Sequence, residues 1–212
     1  MGPAPETVVL VHGLWVHGLA MELQRRALGR LGYRAVAYSY RSVRSSLAQN
    51  AEGLALYAAS LPAPVVHFVG HSLGGVVVLS MLARGLGAGG GRIVLEGVPY
   101  RDSHAARELA RWELGQAMLG KSIREWLDAE KDVDFARFEI GVIAGSWGFG
   151  LGRLVDSALP QPNDGVVAVE ETRVPGMRDQ IVLPVNHSGM LVSRAVHRQV
   201  AAFLRNGAFE KA

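Results

Sequence analysis

The sequence predicts an α/β protein, in which short parallel strands alternate with helices around one sheet. Short apolar runs alternate along the chain with longer stretches of helical periodicity. Hydrophobic residues make up 49% of the 212 residues and charged residues 19%, as is typical of a well-buried globular chain. A serine between two glycines lies where one apolar run passes into the next helical stretch. Because this length supports a stable core, we expect residues 1–212 to form one domain.

Each element follows from its local pattern. Strands are predicted where short β-branched or apolar runs end at turn residues, and helices where apolar residues recur on one face. Gly32 follows the first helix in the place expected of a C-cap glycine. Regular alternation of the two element types implies a parallel sheet. The predicted order is strand 7–11, helix 21–31, strand 33–40, helix 47–61, strand 65–69, helix 76–82, strand 92–98, helical stretch 103–130, strand 138–144, strand 180–185 and helix 196–204.

Composition and charge argue against several other classes of protein. The chain has no cysteine, so it forms neither disulfides nor thiolate metal sites. Its net charge of +3 is small and its arginines are dispersed, which gives nucleic-acid binding little support. No basic region precedes Thr7, and the apolar run 7–11 is too short for a signal peptide or a membrane span. We therefore expect a cytoplasmic protein without integral membrane association.

The turn after the third strand carries the pattern Gly70-x-Ser72-x-Gly74. Glycines are needed on both sides of the serine because any side chain there would collide with the neighbouring strand or helix. Such a turn exposes the serine hydroxyl at the strand end, beside the free N–H groups of the helix that follows. A similar pattern surrounds Ser146, but the glycine-rich stretch after it is a poor helix start. The pattern therefore favours Ser72 as a nucleophile.

Two further residues complete the set that acyl transfer requires. Asp164 lies in a proline-flanked turn, and His187 follows the last strand. Active sites of open α/β sheets lie at the carboxyl ends of the strands, where both residues are expected. Gly13, just after the first strand, would let the chain turn outward and leave the N–H of Leu14 free; the alternative is an ordinary strand-to-helix turn.

Other acidic and histidine residues have competing interpretations. Glu96 and Asp102 follow the strand after Ser72, and Asp156 lies in an apparently helical segment, so each is an alternative acid. We expect His71 to shape the turn beside Ser72. His12 and His17 could bind a metal ion, but no third ligand lies at a suitable spacing. His67, inside a strand, is interpreted as a core histidine with a hydrogen-bond partner.

The motifs together resemble the α/β-hydrolase superfamily. The sequences G-H-S-L-G-G at 70–75 and N-D-G-V-V at 163–167 are similar to those of bacterial lipases and esterases. The resemblance covers roughly residues 7–204 and follows the family's Ser, Asp, His order. It implies a minimal α/β-hydrolase fold with about six mostly parallel strands and helices on both faces. The chain departs from the full pattern because it begins at what would be the third strand and has no large cap after Pro99.

The resemblance also implies a function, a serine hydrolase that cleaves carboxylic esters through an acyl-enzyme. Ser72 would be the nucleophile, His187 the general base and Asp164 its partner, without metal or organic cofactor. The N–H groups of Leu14 and Leu73 would form the oxyanion hole. Three aromatic residues are expected around the acyl pocket: Trp15, Trp147 and Phe149.

The expected substrate is a small-molecule ester or lipid. Without a large cap we expect an open apolar pocket that favours esters of short to medium acids. Long-chain lipids remain an alternative if helical stretch 103–130 or loop 145–152 moves as a lid. An acyltransferase or thioesterase would use the same three residues, and a non-catalytic binding protein of the same fold is the alternative from another class.

Overall fold

The computed structural model describes residues 6–87, 90–129, 133–148 and 159–211. A six-stranded sheet in the order β2-β1-β3-β4-β5-β6 forms its centre, and every neighbouring pair of strands is parallel. The predicted parallel α/β architecture is confirmed. The strands are β1 (Thr7–Val11), β2 (Arg34–Tyr38), β3 (Val66–His71), β4 (Ile93–Glu96), β5 (Ile140–Gly145) and β6 (Asp179–Leu183).

Helices cover both faces of this sheet. Short 3₁₀ helices add Gly18–Met21 before the first α-helix, Val169–Thr172 after the Asp164 turn and Ser188–Leu191 after His187. None of the helices within the described ranges is long and apolar enough to cross a bilayer. The α-helices are α1 (Glu22–Arg30), α2 (Leu47–Ala59), α3 (Leu73–Ala83), α4 (His104–Ala110), α5 (Glu113–Asp128) and α6 (Arg194–Asn206).

Two hydrophobic cores lie on opposite faces of the sheet. Phe68 and the apolar side of α3 belong to one core, which α2 and the end of α5 close. Val69 and Phe203 belong to the other, between the sheet and helices α1 and α6. Strands buried on both faces read as continuous apolar runs rather than as alternating ones, and β1 is buried along its whole length. This packing holds the carboxyl ends of the strands in fixed positions.

The turn at Ser72 is tighter than the sequence pattern predicted. β3 extends to His71 and α3 begins at Leu73, whereas the prediction ended the strand at 69 and began the helix at 76. The helical propensity of Gly74 and Gly75 is low, which placed the predicted start too late. Packing overrides propensity here, because both glycines are buried where helix α3 meets β1 and the chain after β4.

The helical stretch predicted over 103–130 is divided in the structure. α4 and α5 are separate helices, and α5 is kinked at Gly120, whose φ is 72°. A Cβ at Gly120 would lie 2.6 Å from the carbonyl oxygen of Val43, so a side chain is excluded where α5 meets the chain before α2. Trp126, after the kink, is buried, whereas Trp112 and Leu114 are mostly exposed. The part after the kink therefore packs on the core beside the sheet, whereas Ala106 of α4 and Leu119 form a small separate cluster with Leu127.

Candidate active site

Ser72 occupies a strained turn between β3 and α3. Its φ of 52° and ψ of −126° lie in a region that L-residues other than glycine rarely adopt. A Cβ on Gly70 would lie 2.5 Å from the Cα of Gly75, and one on Gly74 would lie 2.1 Å from the carbonyl oxygen of Val11. Both positions therefore require glycine, for the steric reason that the sequence pattern suggested.

The backbone of Ser72 is tied down while its hydroxyl is free. The N–H of Ser72 donates to the carbonyl oxygen of Glu96 on β4 at 2.9 Å. The residue is partly exposed, and its hydroxyl makes no hydrogen bond with any residue that the structure describes. Backbone strain at functional residues persists where the surroundings fix it. The turn thus presents an unengaged hydroxyl at the carboxyl edge of the sheet.

Asp164 and His187 form a buried hydrogen-bonded pair at the same edge. The Nδ1 of His187 lies 2.7 Å from Oδ2 of Asp164, and the backbone N–H of His187 donates to the carbonyl oxygen of Asp164 at 2.9 Å. Oδ1 of Asp164 accepts the N–H groups of Val166 at 2.9 Å and Val167 at 2.7 Å. A carboxylate held in this way fixes the imidazole tautomer with its hydrogen on Nδ1, which leaves a lone pair on Nε2.

The alternative acids occupy other environments. Oδ1 of Asp102 accepts from Arg107 at 2.6 Å and from the N–H of Ser103 at 2.8 Å, near the surface. Glu96 is fully buried, accepts from Nε2 of Gln24 at 2.5 Å, and has a pKa raised to about 8 by burial. Neither carboxyl group bonds to His187. Asp156 lies outside the described residues.

The two predicted oxyanion donors have no acceptor in the described parts of the chain. Leu73 is the first residue of α3, where helix geometry leaves the N–H group without an intrahelical partner. Leu14 follows Gly13, which packs so closely on the nucleophile turn that a Cβ there would lie 3.2 Å from the Cβ of Ser72. Trp15 then takes a positive φ of 60°. The loop after β1 therefore runs beside Ser72 with free N–H groups.

Two of the three predicted aromatic residues lie in exposed positions. Trp15 is 50% exposed, and its indole N–H donates to the carbonyl oxygen of Met118 on α5 at 2.8 Å. Trp147, after β5, is 63% exposed, and its backbone N–H donates to the carbonyl oxygen of Val185. Phe149 lies outside the described residues. The two tryptophans offer apolar surface at the carboxyl side of the sheet without forming a closed pocket by themselves.

His12 and His67 have partners that explain their positions, whereas His17 lies exposed at the surface. His12 donates from Nδ1 to the carbonyl oxygen of Gly13 at 2.8 Å and stacks on Tyr40, and its burial lowers its pKa. His67 is a bonded core residue, as predicted, because its Nδ1 accepts the N–H of Arg92 at 2.8 Å. Across the described ranges, no three histidine, aspartate or glutamate side chains are grouped so that they could hold a metal ion.

Gly97 is a site residue that the sequence analysis missed. It follows β4 directly and has a φ of 56°. A Cβ at this position would lie 2.9 Å from Oδ2 of Asp164 and 3.0 Å from Nδ1 of His187, against the hydrogen bond that joins them. The available signal was a glycine just beyond a strand end at the edge where the site was expected.

We expect Gly97→Ala to lower kcat by roughly 10–100-fold, because its methyl group pushes Asp164 and His187 apart and misplaces the base. The measurement is kcat on an ester substrate. Gly85→Ala is the matched control, since Gly85 has a φ of 69° but no atom within 4 Å of an added Cβ. The Gly85→Ala variant also places an alanine at a positive φ, which costs about 1–2 kcal/mol of stability. It should leave kcat within about two-fold of the wild type. Equal kcat in the two variants would contradict the steric argument.

The whole-chain comparison identifies the family. A model of the alpha/beta hydrolase family matches residues 8–208, nearly the whole chain, and the protein therefore belongs to that family. The six-stranded parallel sheet with helices on both faces is its fold. No curated protein matches the sequence significantly.

Solved structures with this fold include esterases and lipases. The mature form of the Bacillus licheniformis lipase BlEst2 aligns with a TM-score of 0.77 at 18% identity, covering 97% of this chain and 93% of that one. The phospholipase PlaB from Legionella pneumophila aligns with a TM-score of 0.67 at 16% identity, over 93% of this chain and 55% of that one. For the metagenomic carboxyl esterase MGS0156 the TM-score is 0.63 at 19% identity, with 88% and 66% covered. At these identities the likeness concerns the fold alone.

Proposed function

We propose that the protein is a serine hydrolase that cleaves carboxylic esters through an acyl-enzyme. The observation that carries the proposal is the buried hydrogen bond between Asp164 and His187 at the sheet edge where the turn holds Ser72. Esterases and a lipase among the structures of similar fold support the same reaction class.

In this mechanism Ser72 attacks the ester carbonyl. The free hydroxyl loses its proton to Nε2 of His187, the nitrogen that Asp164 does not engage, and the oxygen forms a bond to the carbonyl carbon. His187 then gives the proton to the departing alcohol as the carbon–oxygen bond of the ester breaks. Water repeats the sequence on the acyl-enzyme and releases the acid. Asp164 stabilises the imidazolium throughout, and the N–H groups of Val166 and Val167 hold its carboxylate in place.

The N–H groups of Leu14 and Leu73 are proposed as the oxyanion hole. Both lack an acceptor in the described structure, and both belong to segments that adjoin Ser72. Leu73 also opens α3, whose N-terminus favours a developing negative charge. One such donor typically lowers the barrier by about 3–4 kcal/mol.

The proposed substrates are esters of short to medium acids. The apolar surfaces of Trp15 and Trp147 are solvent-exposed at the carboxyl side of the sheet, where they can contact an acyl chain without enclosing it. Phe149 retains its proposed role as a third apolar contact. An open, partly apolar site gives only a few kcal/mol of discrimination between chain lengths, so we expect a broad preference.

The test is hydrolysis of a p-nitrophenyl ester series from acetate to palmitate. We expect kcat/KM to peak at short or medium chains and to fall at least about ten-fold toward palmitate. A fluorophosphonate probe should label Ser72 in the same preparation. A folded protein that neither hydrolyses any ester nor reacts with the probe would contradict the proposal and favour a binding role.

Product analysis separates hydrolysis from the alternative reactions of the same three residues. Adding an alcohol acceptor during turnover should change the acid product little if the protein is a hydrolase. Predominant formation of a new ester would assign an acyltransferase, and a strong preference for thioesters over oxygen esters would assign a thioesterase.

A further inference from the structure

His71 links the nucleophile turn to the segment that carries His187. It is the last residue of β3, directly before Ser72, and its side chain is buried. Its Nε2 lies 3.0 Å from the backbone carbonyl oxygen of His187, 116 positions away in the sequence. In the described structure no other hydrogen bond joins residues 70–75 to residues 185–190. The mechanism above does not use this contact.

The direction of this hydrogen bond shows which nitrogen of the His71 ring carries a hydrogen. A carbonyl oxygen only accepts hydrogen bonds, so Nε2 of His71 is the donor. Burial, and to a smaller extent the nearby His187, lower the pKa of His71 to about 3. The ring is therefore neutral, with a lone pair on Nδ1, and Nδ1 has no partner among the described residues. A neutral ring next to His187 does not oppose the positive charge that His187 gains during catalysis.

The contact also determines where His187 lies relative to Ser72. Asp164 holds His187 twice, through the ring and through the backbone N–H, but Asp164 belongs to a different loop from the nucleophile. His71 holds the carbonyl side of His187 from the nucleophile's own strand. The rings of His71 and His187 also pack together, with centroids 4.7 Å apart at an angle of 49°.

We propose that His71 is a positioning residue, whose Nε2–H group sets the position of the His187 backbone relative to Ser72. This proposal rests on the proposed roles of Ser72 as nucleophile and His187 as base. A loss of this contact lets the loop that carries His187 relax away from the turn, and misplacing a base by about 1 Å can cost about 100-fold in rate.

Three substitutions at this position separate the hydrogen bond from the packing. In His71→Gln the amide nitrogen takes the place of Nε2 and can still donate to the carbonyl of His187. His71→Asn is one carbon shorter and does not reach it, and His71→Phe keeps the bulk without a donor. His67→Phe is the matched control, because His67 is a buried histidine on the same strand with hydrogen bonds to Glu6 and Arg92 at the opposite end.

The experiment combines ester kinetics with proton NMR of the full-length protein. We expect kcat to fall roughly 10–100-fold in His71→Phe and His71→Asn while KM stays within about three-fold, and His71→Gln to recover kcat to within about five-fold. The downfield signal of the Nδ1 proton between His187 and Asp164 should broaden or shift in the first two variants and persist in the third. His67→Phe should lose stability but keep both kcat and the signal.

The outcomes distinguish this proposal from the proposed function. Wild-type kcat and an unchanged signal in folded His71→Phe would overturn the positioning role. An equal loss in all three variants would overturn the hydrogen bond as its basis. If His71→Phe does not fold, the contrast between His71→Asn and His71→Gln decides the question. If the wild type hydrolyses no ester, the proposed function fails, and the NMR signal alone then supports or overturns the link from His71 to His187.

Discussion

Ser72→Ala should lower kcat on the best ester by roughly 10⁴–10⁶-fold while leaving the protein folded. The substitution removes the oxygen that forms the acyl bond, and only the N–H groups and the binding surface remain to assist attack by water. Alanine adopts the φ of 52° at about the same cost as serine, so we expect the unfolding midpoint to change little. The measurement is kcat with active-site titration by a fluorophosphonate, which should no longer label the protein.

Ser146→Ala is the matched control for this prediction. Ser146 lies in the second glycine-flanked pattern, but its hydroxyl donates to the carbonyl oxygen of Leu183 at 3.2 Å. A serine engaged in this way does not act as a nucleophile, so we expect kcat within about two-fold of the wild type. A collapse of activity in Ser146→Ala, with Ser72→Ala active, would transfer the nucleophile role to the second pattern. His187→Ala should be about as damaging as Ser72→Ala.

The fold was predictable because local and global signals agree along most of the chain. β1 and β3 are apolar runs that the sheet buries on both faces, and the apolar run in α3 is buried along most of the helix. Such agreement between pattern and packing makes element type the most reliable inference. The exceptions arise where tertiary contact overrides propensity, as at Gly74 in the first turn of α3 and at the Gly120 kink in α5.

The candidate site was predictable in its residue types but not in its contacts. Ser72 and His187 follow strand ends, Asp164 lies in a turn that packs against the end of β5, and the sequence order of the three suggests their chemistry. The roles of Gly97 and His71 depend instead on distances between segments far apart in the chain, namely the missing Cβ beside Asp164 and the hydrogen bond to the His187 backbone. The sequence placed a glycine beyond the β4 end and a histidine beside Ser72, but no periodicity or spacing encodes the contacts that give these residues their roles.

Glu96 should make the free energy of unfolding depend strongly on pH. It is fully buried on β4, and its Oε1 accepts from Nε2 of Gln24 on α1. Its Oε2 and the Oε1 of Gln24 are buried without a partner in the described structure. A charged carboxylate in this buried position is unfavourable, and a proton on the carboxyl removes the charge. Burial raises the pKa of Glu96 to about 8.

The sign of the pH dependence follows from this raised pKa. Between the ordinary value of 4.5 and about 8, the folded protein keeps a proton on Glu96 that the unfolded chain has lost. The folded state therefore binds more protons, and the free energy of unfolding decreases as the pH rises through this range. A pKa difference of this size lowers the free energy of unfolding by roughly 3–6 kcal/mol once the pH exceeds both pKa values.

Glu96→Gln should remove this pH-dependent penalty, because an amide keeps the shape of the carboxyl and cannot ionise. Urea unfolding of both proteins from pH 4 to pH 9 should show the variant gaining roughly 3–6 kcal/mol relative to the wild type. The difference in free energy of unfolding between the two proteins does not contain the contributions of the buried histidines, because both proteins share them. Glu22→Gln on α1 should show the opposite sign, since hydrogen bonds from Arg25 and Arg26 lower the pKa of Glu22 to about 2. This variant should be slightly less stable than the wild type near neutral pH, and the difference should shrink only as the pH falls from 4.5 toward about 2, so this comparison needs a series extended to pH 2. A constant difference between Glu96→Gln and the wild type would mean that Glu96 is already ionised in the folded protein, with a cation or water near its Oε2.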